Sequence, residues 1–206
     1  MSEQAPTAQA PAPQAPAPQA SAAPPPAAAR RTPPALRDTE WIRTLPPALR
    51  LVLHARADGR VAAAPAWGVG FPELACRAEI GNGRATLWMG PDEFLLIGTD
   101  ASSGETVIGR LEQALEGRPH ALVDVSHRQF ALEVRGPKAE LILSAGCPLD
   151  LDLAAFPVSM CTRTLFAKAD VLLWRTGGDT FHMEVWRSFQ GYVSGLLAEI
   201  AGEFYG

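Results

Sequence analysis

The segment Asp124-Val125-Ser126-His127-Arg128 places a carboxylate, a hydroxyl and an imidazole close together, the groups from which an activated nucleophile is assembled. Adjacent side chains on a strand point to opposite faces, so Ser126 and His127 could pair only across a sharp bend. The chain also lacks the G-x-S-x-G elbow that exposes a nucleophile at a strand-to-helix turn. The segment therefore reads as a strand-end anchor or an interface site. His54, His120 and His182 are scattered, with no i, i+4 spacing and no paired carboxylate, so no metal ligand is assigned. Cys76, Cys147 and Cys161 form no C-x-x-C pair and read as reduced, buried, small hydrophobes. Gly81-Asn82-Gly83 and Gly177-Gly178-Asp179 are turn chemistry, and no G-x-G-x-x-G follows a strand into a helix. Asp150 and Asp152, in P-L-D-L-D-L, could be paired carboxylates, but a loop aspartate after proline is more often a turn or cap residue. Trp88, Trp174 and Trp186 fall in strands, as core or interface residues. On this reading the chain has no catalytic residue and no cofactor site of its own.

The elements that would position these residues follow from periodicity. Alternating leucines predict a strand over 49–57, ended by Asp58-Gly59; an Ala-rich helix over 61–69 should break at Pro65 and close at Gly68 and Gly70. Residues 85–89 and 94–98 predict a hairpin turned by Gly90-Pro91-Asp92. Ser102 and Glu105 form a capping box for a helix with Val107, Ile108, Leu111 and Leu115 on one face, stopped at Gly117. A strand over 121–125 completes β-α-β-β-α-β, the split βαβ order of ferredoxin-like units. A second round follows: a strand with Phe130, Leu132 and Val134 inward, then Gly136-Pro137 and a helix to Ala145 with an inward stripe of Leu141, Ile142 and Ala145, capped by Gly146. Strands over 162–166, 169–175 and 181–186 precede a final helix capped by Ser188, its face made by Phe189, Tyr192, Val193, Leu196, Leu197 and Ile200. The expected fold is α+β, with sheets on one side and helices on the other.

Composition sets the bounds. Residues 1–29 are almost wholly Ala, Pro, Gln and Ser, too poor in large apolar groups to offset their ordering entropy, so 1–40 is expected to be a disordered Pro/Ala tail. The remaining residues, about 165, suffice for a core; they are divided into modules at 41–120 and 121–206. A net charge of -4 with no basic stripe argues against nucleic acid as a partner. No apolar run reaches the roughly eighteen residues of a membrane span, and no secretory h-region is visible, which points to the cytoplasm and no membrane partner.

The stretches Leu87-Trp88-Met89-Gly90-Pro91-Asp92-Glu93-Phe94-Leu95-Leu96, the Val123–Arg128 segment, Gly146-Cys147-Pro148-Leu149-Asp150-Leu151, Phe156-Pro157 and Trp186-Arg187-Ser188-Phe189 form an ordered set. In this order and spacing they resemble the gamma-subunit family of heterotetrameric sarcosine oxidases. The segment Phe130-Ala131-Leu132-Glu133-Val134-Arg135-Gly136-Pro137 is similar to the strand–Gly-Pro–helix element of the related aminomethyltransferases. The resemblance implies two tandem ferredoxin-like modules of the aminomethyltransferase-like (folate-binding domain) type. It also implies a structural role beside alpha, beta and delta subunits that carry FAD, FMN, NAD, tetrahydrofolate and zinc. The complex would oxidatively demethylate sarcosine to glycine, with hydrogen peroxide and formaldehyde or methylenetetrahydrofolate as products. Asp150 falls near a functional aspartate of the aminomethyltransferases, with Pro148-Leu149 where that group has Thr-Asn, and is the candidate folate contact. Alternatives are a free-standing folate-binding aminomethyltransferase-like protein, or the same subunit role with another N-methyl amino acid. The polar residues Asp92, His127, Arg128 and Arg187 in the matching stretches are candidates for a subunit interface; the alternative is an internal salt-bridge set tying the modules together.

Overall fold

The structure, a computed structural model, describes residues 38–99 and 104–205. Most of the expected tail, and Ser102 of the expected capping box, lie outside these residues. Ten strands and four helices are described, in two five-stranded antiparallel sheets.

In the first sheet, β2 (Leu49–Ala55) turns Leu49, Leu51, Leu53 and Ala55 to one face. Helix α1 (Ala57–Trp67) then begins four residues before the expected start. Asp58, expected to end the strand, lies in the helix's first turn, where the exposed N–H groups favour a carboxylate. Gly59 is buried there because a Cβ would stand 3.0 Å from that of Ala55. Pro65 does not break the helix, which runs two residues further and ends at Gly68, whose positive φ of 86° lets its N–H reach Ala64 O at 2.8 Å. A strand missing from the sequence reading follows: β3 (Ala78–Gly81) pairs with β4 (Arg84–Gly90) through Asn82-Gly83, both at positive φ, the conformation of a two-residue hairpin turn. β5 (Glu93–Gly98) returns beside β4, and α2 (Gly104–Leu115) and β6 (His120–Asp124) complete the module. The sheet order is β3-β4-β5-β2-β6; without the added edge β3 it is the split βαβ arrangement.

The second sheet, ordered β1-β7-β10-β9-β8, repeats this arrangement place for place. It comprises β7 (Gln129–Arg135), β8 (Cys161–Phe166), β9 (Ala169–Gly177) and β10 (Thr180–Trp186), with α3 (Ala139–Ser144) and α4 (Gln190–Tyr205). The position that β6 holds in the first sheet is taken here by β1 (Ile42–Thr44), which pairs with β7. Sheet membership therefore departs from a cut between residues 120 and 121: residues 42–44 hydrogen-bond into the second sheet, and 121–124 close the first. Trp41 fastens this arrangement by stacking on Tyr205 at the chain's other end, with ring centroids 4.1 Å apart.

Three apolar clusters define the layers. One lies between α1, α2 and the first sheet, and another between α3, α4 and the second sheet. In the third, Leu87, Leu95 and Ile97 of the first sheet meet Cys161, Leu172 and Trp174 of the second. The sheets thus pack face to face with helices on both outer sides, where the sequence reading put helices on one side only. Three further details differ. In α3 the buried residues are Ala139, Ile142 and Leu143, while Leu141 is half-exposed and Ala145 exposed. Gly146 is not needed for a positive φ; a Cβ there would sit 2.6 Å from the Phe166 ring. Ser188 lies inside a 3-10 turn (Arg187–Phe189) leading into α4, and the N-cap position of that turn is Trp186.

Candidate functional site

Between the two sheets a cleft of about 630 Å³ opens. Val52, Leu95, Val123 and Val125 line it from the first sheet's side, and Leu172, Glu184 and Trp186 from the second's. Alternation dictates the lining: Val52 sits opposite Val123 on the face of β2 and β6 that is turned away from α1 and α2. The same parity puts Arg50 on the inner face of β2 and Glu184 on the inner face of β10. Arg50 Nε donates to Glu184 Oε1 at 2.8 Å and Oε2 at 2.7 Å, with side chains only 3% and 1% exposed. His182, two residues before Glu184 on the same face, places Nε2 2.7 Å from Glu184 Oε1. Arg50 Nη1 also donates to Ala48 O. A second ion pair, Arg163–Glu93, joins β8 to β5 at the cleft's rim.

These bridges correct two sequence expectations. His182 does have a carboxylate partner, and so does His120, whose Nε2 lies 2.9 Å from Glu112 Oε2. His120 is held above the usual histidine range, first by the Arg118 carbonyl on Nδ1 and then by Glu112. Among the described residues, the ion pairs linking one sheet to the other are Arg50–Glu184 and Arg163–Glu93, and none of the four polar residues singled out in the sequence takes part in them.

The segment after β6 is a turn, not a strand. Ser126 N donates to Asp124 Oδ1, and the Ser126 hydroxyl accepts the Arg50 amide at 2.9 Å, continuing the ladder where β6 ends. Ser126 is therefore a strand-end anchor. The turn brings three of the sequence candidates together. Arg187 Nε donates to His127 O at 3.0 Å and Arg187 N to Arg128 O at 2.8 Å, while the Arg128 guanidinium lies 5.1 Å from the Trp186 ring centroid. His127, Arg128 and Arg187 are all exposed, and so is about half of Trp186. Asp92 is elsewhere. Its carbonyl accepts from Ala55 at the far end of β2, five residues or roughly 17 Å along the strand from Arg50. Its carboxylate faces Arg60 at 3.4 Å, within the same module.

Asp150 is an exposed loop residue whose carboxylate accepts the Asp152 amide at 3.0 Å, the turn role. It lines neither the inter-sheet cleft nor the smaller cavities beside β2 and α1. The loop from Leu151 to Phe156 is held instead by Arg175, a buried cation the sequence reading passed over. It donates to the carbonyls of Leu151, Phe156 and Gly178 and stacks on Phe181. Burial pushes the Cys161 thiol up to about 12, an unreactive state at neutral pH. Among the described residues no group of three or more His, Cys, Asp and Glu side chains is placed to hold a metal ion, and no helix is long and apolar enough to cross a membrane.

Residues 54–203 match a family model described as sarcosine oxidase, gamma subunit family. The chain is 43% identical over 129 residues to a sarcosine oxidase subunit gamma of Arthrobacter sp, a match spanning 61% of this chain and 61% of that protein. It is 37% identical over 149 residues to the gamma subunit of Corynebacterium sp. strain P-1, covering 72% of each chain. Among solved structures, a chain of the heterotetrameric sarcosine oxidase from Corynebacterium sp. U-96 in complex with pyrrole 2-carboxylate superposes with a TM-score of 0.76 at 31% identity, covering 85% of this chain and 91% of that one. The glycine cleavage aminomethyltransferase T of Bartonella henselae shares the fold, with a TM-score of 0.57 at 14% identity, over 76% of this chain and 44% of that one.

Proposed function

The chain belongs to the sarcosine oxidase gamma subunit family, and we propose from that premise that it is a structural subunit of a sarcosine oxidase complex and performs no chemistry itself. The observation that carries this reading is how its reactive groups are spent. Glu184 is saturated by Arg50 and His182, Ser126 holds the Arg50 amide, Asp150 holds a turn, and Cys161 is a protonated core thiol. What remains outward is a recognition cluster, His127, Arg128, Trp186 and Arg187, of the aromatic and arginine composition that anchors protein interfaces.

In this reading alpha, beta and delta subunits hold FAD, FMN, NAD, tetrahydrofolate and zinc, sarcosine is the substrate, and the assembly works in the cytoplasm. The gamma chain supplies buried contact surface. Asp92 would lie at a separate margin of that surface, since it stands at the other end of β2. The test is affinity capture of the full chain, tagged, from cells that also express the partner subunits. The eluate should carry flavin absorbance and sarcosine-dependent peroxide formation, while the chain expressed alone is colourless and gives no heat with tetrahydrofolate. Capture of the chain without flavoprotein, or folate binding lost in Asp150→Ala, would overturn the role.

A further inference from the structure

Strand β6 is an unguarded edge. It pairs with β2 on one side and with no described strand on the other. Its sequence, His120-Ala121-Leu122-Val123-Asp124, has none of the lysines, prolines or bulges that protect sheet edges. The Val125 amide donates to Arg50 O, so the two-residue period turns the amides of Ala121 and Val123 toward β2 and those of Leu122 and Asp124 away from it. Val123 faces the cleft and is 51% exposed; beyond it stand Trp186, 46% exposed, and Arg128. Arg128 and Arg187 have no carboxylate partner among the described residues; of the acids lining the cleft, Glu93 and Glu184 are taken by arginines, and Asp170 pairs with neither Arg128 nor Arg187.

Resting on the subunit role above, we propose that an extended segment of a partner subunit adds to β6 as a further strand. Its alternate apolar side chains enter the cleft over Val123, and a carboxylate at its end meets Arg128 on Trp186. Backbone pairing selects an extended chain, and the unpaired cations select an acidic one, although the gamma chain itself carries a net charge of -4. The chain's own segment before residue 38 is a poor strand for this edge, because its closely spaced prolines lack the amides a ladder needs. Pairing with a second copy would give a dimer of the isolated chain, which the experiment detects.

The experiment compares the isolated full chain with the assembled complex by residue-resolved amide exchange, and co-purifies variants with the partners. On assembly the Leu122 and Asp124 amides should slow by roughly tenfold or more. Val123→Lys should cut recovery of partner subunits by a similar factor, and Val61→Lys, 75% exposed on α1, should leave it unchanged. Unchanged exchange at both amides, or wild-type assembly of Val123→Lys, refutes strand addition. If Arg128→Glu then abolishes assembly, the recognition cluster survives and only the strand is wrong. If the chain captures no partner in any form, the subunit role itself fails. The same protection in a dimer of the isolated chain would assign the edge to a second copy and overturn the partner.

Discussion

Glu184→Ala is the perturbation whose cost the structure sets most directly. It deletes the carboxylate that faces Arg50 across the two sheets, leaving a guanidinium 3% exposed with the Ala48 carbonyl as its remaining described acceptor. Removing one member of a buried pair costs about 3–5 kcal/mol, because the partner charge stays desolvated. For a folded unit of this size each kcal/mol shifts Tm by about 2–4 °C, so the midpoint should fall by roughly 6–20 °C. The double variant Arg50→Met with Glu184→Leu removes both charges and should recover most of that loss, since apolar replacement of a buried pair is about neutral. Recovery should stop short of complete, because His182, 12% exposed, loses its acceptor. Urea unfolding of wild type, the singles Arg50→Met and Glu184→Leu and their double variant, with Glu184→Ala alongside, supplies the numbers. A cost below about 1 kcal/mol for Glu184→Ala, or a double variant as unstable as the sum of the singles, would refute the view that the pair joins the modules as a unit.

Gly146→Ala should destabilise the isolated chain by about 1–3 kcal/mol, since its methyl would overlap the buried Phe166 ring, and adding Phe166→Leu should relieve part of the loss in the same unfolding assay. Alkylation near pH 8 should label Cys76, which is partly exposed, before Cys161, whose thiol sits at about 12; early native labelling of Cys161 would contradict its burial. Glu112→Gln should lower the His120 titration midpoint followed by NMR. Because that midpoint is raised in the folded chain, its stabilising effect is complete below about pH 6.5, the unfolded value, and vanishes as pH rises through the folded one. The stability gap between wild type and variant should therefore close on going from acid to alkaline pH.

Much of this fold was legible because local signals agreed. The leucine alternation of β2, the Pro91-Asp92 turn and the Val107–Leu111–Leu115 stripe of α2 each named an element and its buried face. The face-to-face packing was also written there, in Phe94-Leu95-Leu96-Ile97 and Val171-Leu172-Leu173-Trp174. Such unbroken apolar runs mean that both faces of a strand are covered. The strand β1 was not legible: three residues carry no period, and their partner is 90 positions away, as Arg43 shows with Glu133. In α3 the helical phase was misjudged by one residue, because Leu141, Ile142 and Leu143 are all apolar and only packing decides which turns outward. The Arg50–Glu184 pair could have been suspected from two charges on strands whose opposite faces are buried, with His182 two residues from Glu184. Its existence still depends on how the sheets cross, which spacing does not encode. The bend at Ser126–Arg128 was not legible, because it is set by the Asp124 side chain on the Ser126 amide.

The central claim, that this chain holds a complex together without doing chemistry in it, is tested most directly by leaving it out. The partner subunits expressed without it, and again with it, should differ in assembly and in sarcosine-dependent peroxide production per flavin. Supplying the chain with Ser126→Ala, His182→Gln and Asp150→Ala combined should restore both. Full assembly and turnover in its absence, or normal assembly with no turnover when those three groups are removed, would contradict the account.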